Sequence, residues 1–362
     1  MKLRLLFIGN KFIYNSALRE YIIRKVSQKY DFVDSITFFK ESDNSLFLYI
    51  EDELNQSNNL IIVTTSRNYS TIGRVICTVT SDKQILKDGM LIPSKCSIFE
   101  DRSYLLEYKN SSVNVLHIDE MQKFPDLLIY HEDTSATLHL FDEDENSANA
   151  LLMPLAQTYD VKIELVTLVE GWIVVNITSK KYGNISKFIS FAKQLLAKKV
   201  IASSCIFGYI IDRLNTFNKK VAFAESCTGG LLTYYFTKNN GASKVLNGSL
   251  ITYSNELKEN WLGVEAKLIE QNGAVSAEVV SAMSEGAMNV SSADYTIAIS
   301  GIAGEGGGTK EKPVGTVYVG VRNKKEHIEL RLNLSGDRNY IQEQSVFFAV
   351  KTLILMNKEI FF

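Results

Sequence analysis

The sequence is poor in several residue types, and each shortage excludes a class of protein. It has 4 prolines and 4 cysteines in 362 residues, with 46% hydrophobic and 22% charged residues, which excludes disordered and collagen-like chains. The scattered thiols form neither a disulfide framework nor a CxxC metal site, so we expect a reducing, cytoplasmic compartment. With 4 histidines in the whole chain, a histidine-rich metal site and a Ser-His-Asp triad are both disfavoured.

An excess of charge of one sign and a long apolar run are also lacking. Lys and Arg number 39 and Asp and Glu 41, for a formal net charge of −2, so no global field attracts a polyanion and nucleic acid is not an expected partner. A membrane helix needs about 18 to 20 apolar residues. The longest candidate, Val200 to Ile211, is interrupted by serines and a glycine. We therefore expect a soluble protein without membrane contact.

The hydrophobic pattern predicts an α/β protein. Strands are expected at Leu3 to Ile8, Ile36 to Phe39 and Leu60 to Thr65, with a helix from Ser16 to Tyr30. This alternation is typical of a parallel sheet with helices on both faces. A smaller β-α-β-β unit is expected over Leu138 to Tyr182. The first two parts of the chain thus differ in architecture.

Glycine is concentrated in the last part of the chain. Five glycines precede residue 208 and sixteen follow from Gly208 onward. Glycine adopts backbone conformations that loops around a ligand often need. We therefore expect a third unit from about residue 205 that carries the binding loops.

Four segments of this third unit run from an apolar strand straight into small polar residues or glycine. They are Ala224 to Gly230 (AESCTGG), Thr252 to Glu256 (TYSNE), Ser300 to Thr309 (SGIAGEGGGT) and Ser335 to Arg338 (SGDR). Ligands of open α/β sheets lie outside the carboxyl ends of the strands. One such ending is usually a plain tight turn, but four in one unit predict a shared crevice.

The segment AESCTGG offers a nucleophile and an anion site. We expect Thr228, Gly229 and Gly230 to open a helix and to point free N–H groups at a phosphate or an oxyanion. Ser226 lies at the bend, where a hydroxyl nucleophile is exposed in nucleophile elbows, or it is an N-cap. Cys227 is the competing nucleophile, but its position favours a side chain turned into the helix.

A serine nucleophile needs a group that accepts its proton. Histidine is a poor candidate here, because only His327 lies in this unit, on a strand expected to be exposed. The crevice offers Tyr253, Lys258, Glu225, Glu256 and Ser300 instead, and a tyrosine whose pKa is lowered by a nearby cation can act as a base. The sequence leaves open whether Tyr253, Lys258 or Glu225 accepts the proton.

Five motifs between Ala224 and Arg338 carry a family resemblance. In chain order they are AESCTGG, ITYSNELKENWLGV, NGAVSAEVVSAMSEGA, ISGIAGEGGGTKEKPVGTVYVGV and SGDR. Together they closely resemble the C-terminal domain of the CinA (competence/damage-inducible protein A) family, a PncC-type nicotinamide mononucleotide deamidase. The resemblance implies hydrolysis of the carboxamide to nicotinic acid mononucleotide and ammonia, without metal or other cofactor, by a cytoplasmic homodimer.

The resemblance also implies roles for single residues. Ser226 would be the nucleophile and Tyr253 its proton-transfer partner, and Ser300 would complete the catalytic group where many members have threonine. A guanidinium suits the substrate phosphate or the oxyanion. The residues implied to bind the substrate are Thr228, Gly229, Gly230, Ser254, Asn255, Gly301, Ala303, Gly304 and Arg338.

Full-length members of this family begin with a MoaB/MogA-like three-layer αβα domain and a small KH-like α+β domain. The resemblance therefore implies domains at 1–130, 131–204 and 205–362. The first domain lacks the family's chemical motifs, since Gly9, Asn10 and Lys11 replace Gly-Asp-Glu, and TTSRNYST from Thr64 replaces TTGGLGPT. Carboxylates for a cation and glycines for a diphosphate are thus missing, which favours a scaffold.

Two other functions stay open besides the amidase. One is a catalytically silent nucleotide-binding or interaction protein linked to competence or DNA damage, and the other is a residual ADP-ribose pyrophosphatase in the first domain. Intact Ser226, Tyr253 and Arg338 favour the amidase over a silent binder, because a pure binder needs the glycine loops but not the hydroxyls.

Overall fold

The computed structural model describes residues 2–30, 33–120, 122–130, 135–179, 182–304 and 306–362. The chain divides into two compact units, Met1–Ser135 and Ala136–Phe362. Both units combine helices with β-sheets, which confirms the predicted α/β class. Among the described residues no helix is both long enough and apolar enough to cross a membrane.

The first unit is built on a six-stranded sheet in the order β2-β1-β3-β8-β7-β6 and a separate pair β4-β5. Its strands are β1 (Leu3–Ile8), β2 (Ser35–Phe39), β3 (Asn59–Thr64), β4 (Gln84–Lys87), β5 (Met90–Pro93), β6 (Ile98–Glu100), β7 (Ser103–Tyr108) and β8 (Ser111–His117). Its helices are α1 (Asn10–Tyr14), α2 (Ser16–Lys29), α3 (Leu46–Asn55) and α4 (Ser66–Val79). Alternate strand residues face opposite sides, so Leu5 and Phe7 pack toward α2 whereas Leu6 and Ile8 pack toward α3 and α4. The result is the expected three-layer αβα arrangement.

The second unit begins with a four-stranded sheet in the order β10-β11-β9-β12. Its elements are β9 (Ser135–Phe141), α5 (Glu145–Thr158), β10 (Val161–Val169), β11 (Trp172–Ser179), α6 (Ile185–Leu195) and β12 (Val200–Ala202). Leu152 of α5 and Phe188 of α6 are buried in one core with the sheet, which gives a small α+β layer pair. The predicted start of this part, residue 131, lies outside the described residues. The predicted boundary at 204 falls inside the second unit, so the division into three domains stays a prediction.

A five-stranded sheet, in the order β14-β13-β15-β16-β17, forms the rest of the second unit. Its strands are β13 (Val221–Glu225), β14 (Leu246–Ile251), β15 (Tyr295–Gly301), β16 (Thr316–Asn323) and β17 (His327–Asn333). Its helices are α7 (Ile206–Thr216), α8 (Leu231–Thr237), α9 (Asn255–Leu262), α10 (Ala266–Asn272), α11 (Ala277–Ser291), α12 (Arg338–Met356) and α13 (Lys358–Phe361), with a 3₁₀ turn at Ala242–Lys244. β13, β14 and β15 are parallel, so their carboxyl ends meet at one edge.

Gly286 sets the distance between α11 and α9. A Cβ at this position would lie 2.0 Å from the carbonyl oxygen of Leu262, the last residue of α9. We expect Gly286→Ala to lower the free energy of unfolding by about 1 to 3 kcal/mol in urea titrations, because the helices must separate. The matched control is Gly208→Ala inside α7, where the nearest atom would lie at 3.4 Å. It should be neutral or stabilising, since alanine favours a helix, and equal stability of the Gly286 variant would contradict the tight contact.

Candidate functional site

A cavity of about 400 Å³ opens at the edge where the parallel strands end. Small-molecule sites commonly measure about 300 to 1,000 Å³. Its lining comes from all four segments predicted to share a crevice, from α9 and from the α10–α11 connection: Ser226, Cys227, Tyr253, Asn255, Lys258, Ala274, Val275, Ser300, Gly301, Ile302, Ala303, Gly304, Gly307 and Arg338. Of the predicted site residues, Thr228, Gly229, Gly230 and Ser254 are not in this lining. Glu305, inside one predicted segment, lies outside the described residues.

Glu225 is the last residue of β13, and its carboxylate accepts hydrogen bonds at the start of α8. The side chain is fully buried. Its donors are the N–H groups of Gly230, Leu232 and Thr233 at 3.1, 3.1 and 3.0 Å, and the hydroxyls of Thr228, Thr233 and Ser249 at 2.8, 2.6 and 3.3 Å. The negative charge at the positive end of the helix stabilises the turn that carries Ser226.

This arrangement corrects one prediction about AESCTGG. The helix begins at Leu231 rather than at Thr228, because Gly229 and Gly230 have φ of +59° and +101° and form a left-handed turn before it. The Gly230 N–H donates to Glu225, and the Gly229 N–H donates to the Ser226 carbonyl at 3.1 Å. The expectation that both glycines offer free N–H groups to a substrate anion is therefore wrong.

Ser226 is held between neighbouring elements. Its N–H donates to the Ile299 carbonyl of β15 at 2.9 Å. The next carbonyl, that of Cys227, accepts a hydrogen bond of 2.7 Å from Gln342 Nε2 of α12. The backbone of the bend is therefore fixed from two sides, and the Ser226 side chain lines the cavity with 9% of the residue exposed.

Lys258 is the buried partner of the Ser226 hydroxyl. Ser254 caps α9 by accepting from the Leu257 N–H at 3.2 Å, and Lys258, in the first turn of the helix, is only 2% exposed. Its Nζ lies 3.2 Å from Ser226 Oγ, 2.8 Å from the Thr252 carbonyl oxygen and 3.5 Å from that of Ser254. Burial lowers the pKa of Lys258 below the ordinary value of 10.5, because removal from water disfavours the charged form.

The three contacts of Lys258 are all with oxygen atoms, so they fit an ammonium, which donates to each of them, and they also fit a neutral amine. An uncharged amine has two hydrogens and one lone pair. The two hydrogens match the two carbonyl oxygens, and the lone pair is left for the hydrogen of the Ser226 hydroxyl. In its neutral form, Lys258 can therefore take the proton of the Ser226 hydroxyl.

The other candidates for nucleophile and base fit less well. Burial raises the pKa of Cys227 to about 12, so this side chain stays a thiol at neutral pH, whereas the thiolate is the reactive form. Tyr253 lines the cavity but is 63% exposed. Glu225 is engaged by the six donors at the start of α8. Among the described residues, the group within hydrogen-bond distance of Ser226 Oγ is Lys258.

Arg338 and the backbone after Ser226 carry further hydrogen-bond donors in this region. Arg338 starts α12, is exposed, and makes no ion pair with a described residue. Its guanidinium lies against Gly304, where a Cβ would come within 2.7 Å of Nε, so glycine is needed for the arginine to lie there. The N–H groups of Cys227 and Thr228 donate to no described residue. Of these residues, Arg338 and Cys227 line the cavity, so an anion there would find the Arg338 guanidinium.

Ser300 has a partner that the sequence did not indicate. It is 1% exposed, and its Oγ donates to the Ala274 carbonyl at 2.7 Å. The sequence interpretation also missed Ala274, Val275 and Gln342. A possible signal for the α10–α11 connection was the glycine of NGAVSAE, Gly273, whose φ is +74°. Within the described part of the chain no group of three or more His, Cys, Asp or Glu is placed to hold a metal ion.

The C-terminal part of the chain is similar to a known protein family. Residues 206–356 match the model of the CinA C-terminal domain. The chain belongs to the CinA family. It is 44% identical over 144 residues to a CinA-like protein of Thermotoga sp. (strain RQ2), which covers 40% of this chain and 35% of the relative. A CinA-like protein of Endomicrobium trichonymphae is 35% identical over 232 residues, or 60% of this chain and 54% of the relative. The chain thus matches about a third to a half of the length of these relatives.

Solved structures of the family also resemble the chain. The competence/damage inducible protein CihA from Agrobacterium tumefaciens aligns with a TM-score of 0.40 and 33% identity, over 42% of this chain and 95% of that protein.

Proposed function

We propose that this CinA-family chain hydrolyses the carboxamide of nicotinamide mononucleotide to nicotinic acid mononucleotide and ammonia. The observation that carries the proposal is the buried amine of Lys258, 3.2 Å from the Ser226 hydroxyl, inside a cavity of small-molecule size. The motifs that resemble the deamidase domain lead to this substrate.

The reaction would follow from the contacts of Ser226. Lys258 accepts the hydroxyl proton while Oγ attacks the carboxamide carbon, and the carbonyl oxygen becomes negative. The proposal assigns the stabilisation of that oxygen to the backbone N–H groups that follow Ser226 in the bend, those of Cys227 and Thr228. Lys258 then returns the proton to the leaving nitrogen, ammonia departs, and Ser226 is left as an ester. Water, deprotonated by the same amine, hydrolyses the ester and frees the serine.

The rest of the cavity supports a nucleotide amide as substrate. Ala274, Val275 and Ile302 supply apolar lining, which suits a pyridine ring. The exposed guanidinium of Arg338 forms charge-assisted hydrogen bonds most readily with a phosphate or carboxylate. We include in this proposal that the substrate is contacted by five further lining residues: Tyr253, Asn255, Gly301, Ala303 and Gly304. A cytoplasmic homodimer that works without a cofactor stays a prediction.

We further propose that the first unit is a scaffold without pyrophosphatase activity. At the end of β1, where the resembled family carries carboxylates, the chain has Asn10 and Lys11. Lys11 Nζ lies 3.3 Å from Glu120 and 4.0 Å from Asp119, so the acidic groups near this position form ion pairs with a lysine.

Ammonia release from nicotinamide mononucleotide by the purified chain tests the proposal. We expect release in step with nicotinic acid mononucleotide, measured by mass spectrometry, and the same rate with and without a chelator. Binding of the nucleotide without turnover would instead support a silent nucleotide-binding protein. Metal-dependent release of AMP from ADP-ribose would contradict the scaffold role of the first unit.

Variants of Ser300 distinguish a catalytic role of its hydroxyl from a positioning role. Its hydrogen bond to the Ala274 carbonyl should contribute about 0.5 to 1.5 kcal/mol, so we expect Ser300→Ala to lower kcat/KM about 2- to 13-fold and to lower the melting temperature. Ser300→Thr keeps the hydroxyl and should be tolerated. Steady-state kinetics and thermal melts measure both effects. A loss of about 100-fold or more in kcat would instead place the hydroxyl at the reacting atoms.

A further inference from the structure

Asn272, the last residue of α10, and residues 273–275 of the connection to α11 are here called the strap, and all four of their carbonyl groups are bound by side chains. Lys312 Nζ donates to the carbonyls of Asn272 and Val275 at 2.8 and 2.7 Å. Ser276 Oγ donates to the Gly273 carbonyl at 3.0 Å, and Ser300 Oγ donates to that of Ala274 at 2.7 Å. The strap is thus a short segment at and after the end of α10 whose four carbonyl groups all accept hydrogen bonds from side chains.

Such bonding restricts a segment that would otherwise be mobile. Irregular connections usually leave carbonyl groups to water, and ordering the backbone costs conformational entropy. Here the cost is offset by side chains from three places: the cap of α11, the end of β15, and the loop before β16. The ordered segment presents Ala274 and Val275 to the cavity that holds Ser226 and Lys258.

Lys312 lies in the loop between β15 and β16, here called the glycine-rich loop, which lines another part of the cavity. Gly304 and Gly307 of this loop also line the cavity. A local turn fixes the base of the lysine, because the Thr309 N–H donates to the Lys312 carbonyl at 2.9 Å and the Lys312 N–H donates to Thr309 Oγ1 at 3.0 Å. The ammonium then reaches the strap, 37 and 40 residues away in the sequence. It therefore joins two walls of one cavity.

We propose that Lys312 is a positioning residue. Its hydrogen bonds join the glycine-rich loop to the strap, a contact here called the clasp, and so shape the cavity for a flat heteroaromatic amide before the substrate arrives. The inference rests on the proposed deamidase function for its substrate, but not for the clasp itself. A cavity that is already ordered loses less entropy on binding, so the clasp should act on substrate binding more than on the chemical step.

The test compares Lys312→Met with Lys312→Arg in the full chain. Lys312→Met keeps the length of the side chain but removes the donors, and we expect a rise in KM for nicotinamide mononucleotide of roughly tenfold or more, with kcat changed less than about threefold. Hydrogen–deuterium exchange of the strap, measured without substrate, should become faster. Lys312→Arg keeps the donors and should restore much of both properties. Lys310→Met, which removes the same charge from an exposed position in the same loop, is the matched control.

Each outcome has a distinct meaning. Unchanged KM and unchanged exchange in Lys312→Met would overturn the clasp. A raised KM with unchanged exchange would also overturn it, because Lys312 would then bind the substrate directly. Faster exchange in a protein whose wild type does not deamidate the nucleotide would support the clasp and overturn the proposed function. Lys312→Gln, with a shorter donor side chain, provides the same exchange measurement if Lys312→Met does not fold.

Discussion

Ser226→Ala should abolish ammonia release from nicotinamide mononucleotide. The hydroxyl is the attacking group in the proposed reaction, and loss of a serine nucleophile lowers turnover by a factor of about 10⁴ or more. The fold should survive, because the lost contact with Lys258 is one hydrogen bond, worth about 0.5 to 1.5 kcal/mol. Single-turnover kinetics measure the loss, and thermal melts check the fold.

Cys227→Ala is the matched control for this variant. The thiol is the neighbouring residue, lines the same cavity, and has a pKa of about 12 because it is buried. We expect most of the activity to remain, with some loss of stability from the small space left behind. An inactive Cys227 variant beside an active Ser226 variant would show that the thiol, not the hydroxyl, attacks the substrate.

The general position of the site could be predicted from the sequence. The strand VAFAE is apolar over its first four residues, as buried parallel strands are, and Ser226 directly follows its last residue, Glu225. Parallel strands that end in small polar residues place those residues at one edge of the sheet. Ser226, Tyr253, Ser300 and Arg338 accordingly line one cavity.

The roles of the charged residues could not be predicted in the same way. Lys258 lies in a helix whose sequence, NELKENWL, is mostly polar, and lysine in such a helix usually faces water. The N-cap at Ser254 and the contact of Gly286 with Leu262 turn that face of α9 toward Ser226. The sequence also offered Glu225 as a candidate base. Its six hydrogen-bond donors come from the turn before α8, from the first residues of α8 and from Ser249, and only the fold brings these donors together.

Long-range contacts explain why the remaining features of the site could not be predicted from the sequence. The strap contains the ordinary turn residues Asn272 and Gly273, and nothing in its local pattern indicates Lys312, 40 residues beyond Asn272. Ser300 was assigned to the catalytic group by resemblance, whereas its hydroxyl bonds the strap. Periodicity and turn chemistry describe neighbours along the chain, so they predict strand endings better than contacts between loops.

Lys258→Met should reduce kcat by roughly 10² to 10⁴, the usual contribution of a positioned general base. Methionine fills similar space but cannot accept the Ser226 proton. Lys258→Arg should be equally inactive, since a guanidinium stays charged at every working pH. Lys267→Met, at an exposed position of α10, removes one lysine without touching the cavity and should keep wild-type rates.

The pH dependence of kcat/KM distinguishes Lys258 from Tyr253 as the base. The active form of Lys258 is the neutral amine, so activity should be low at acid pH and rise as pH passes through the lysine pKa. Because burial lowers that pKa below 10.5, the rise should be complete at a lower pH than an ordinary lysine would require. The rise should persist in Tyr253→Phe and vanish in Lys258→Met. If Tyr253→Phe removed it while Lys258→Met kept it, the exposed tyrosine would be the base and the buried amine only a support for the Thr252 and Ser254 carbonyls.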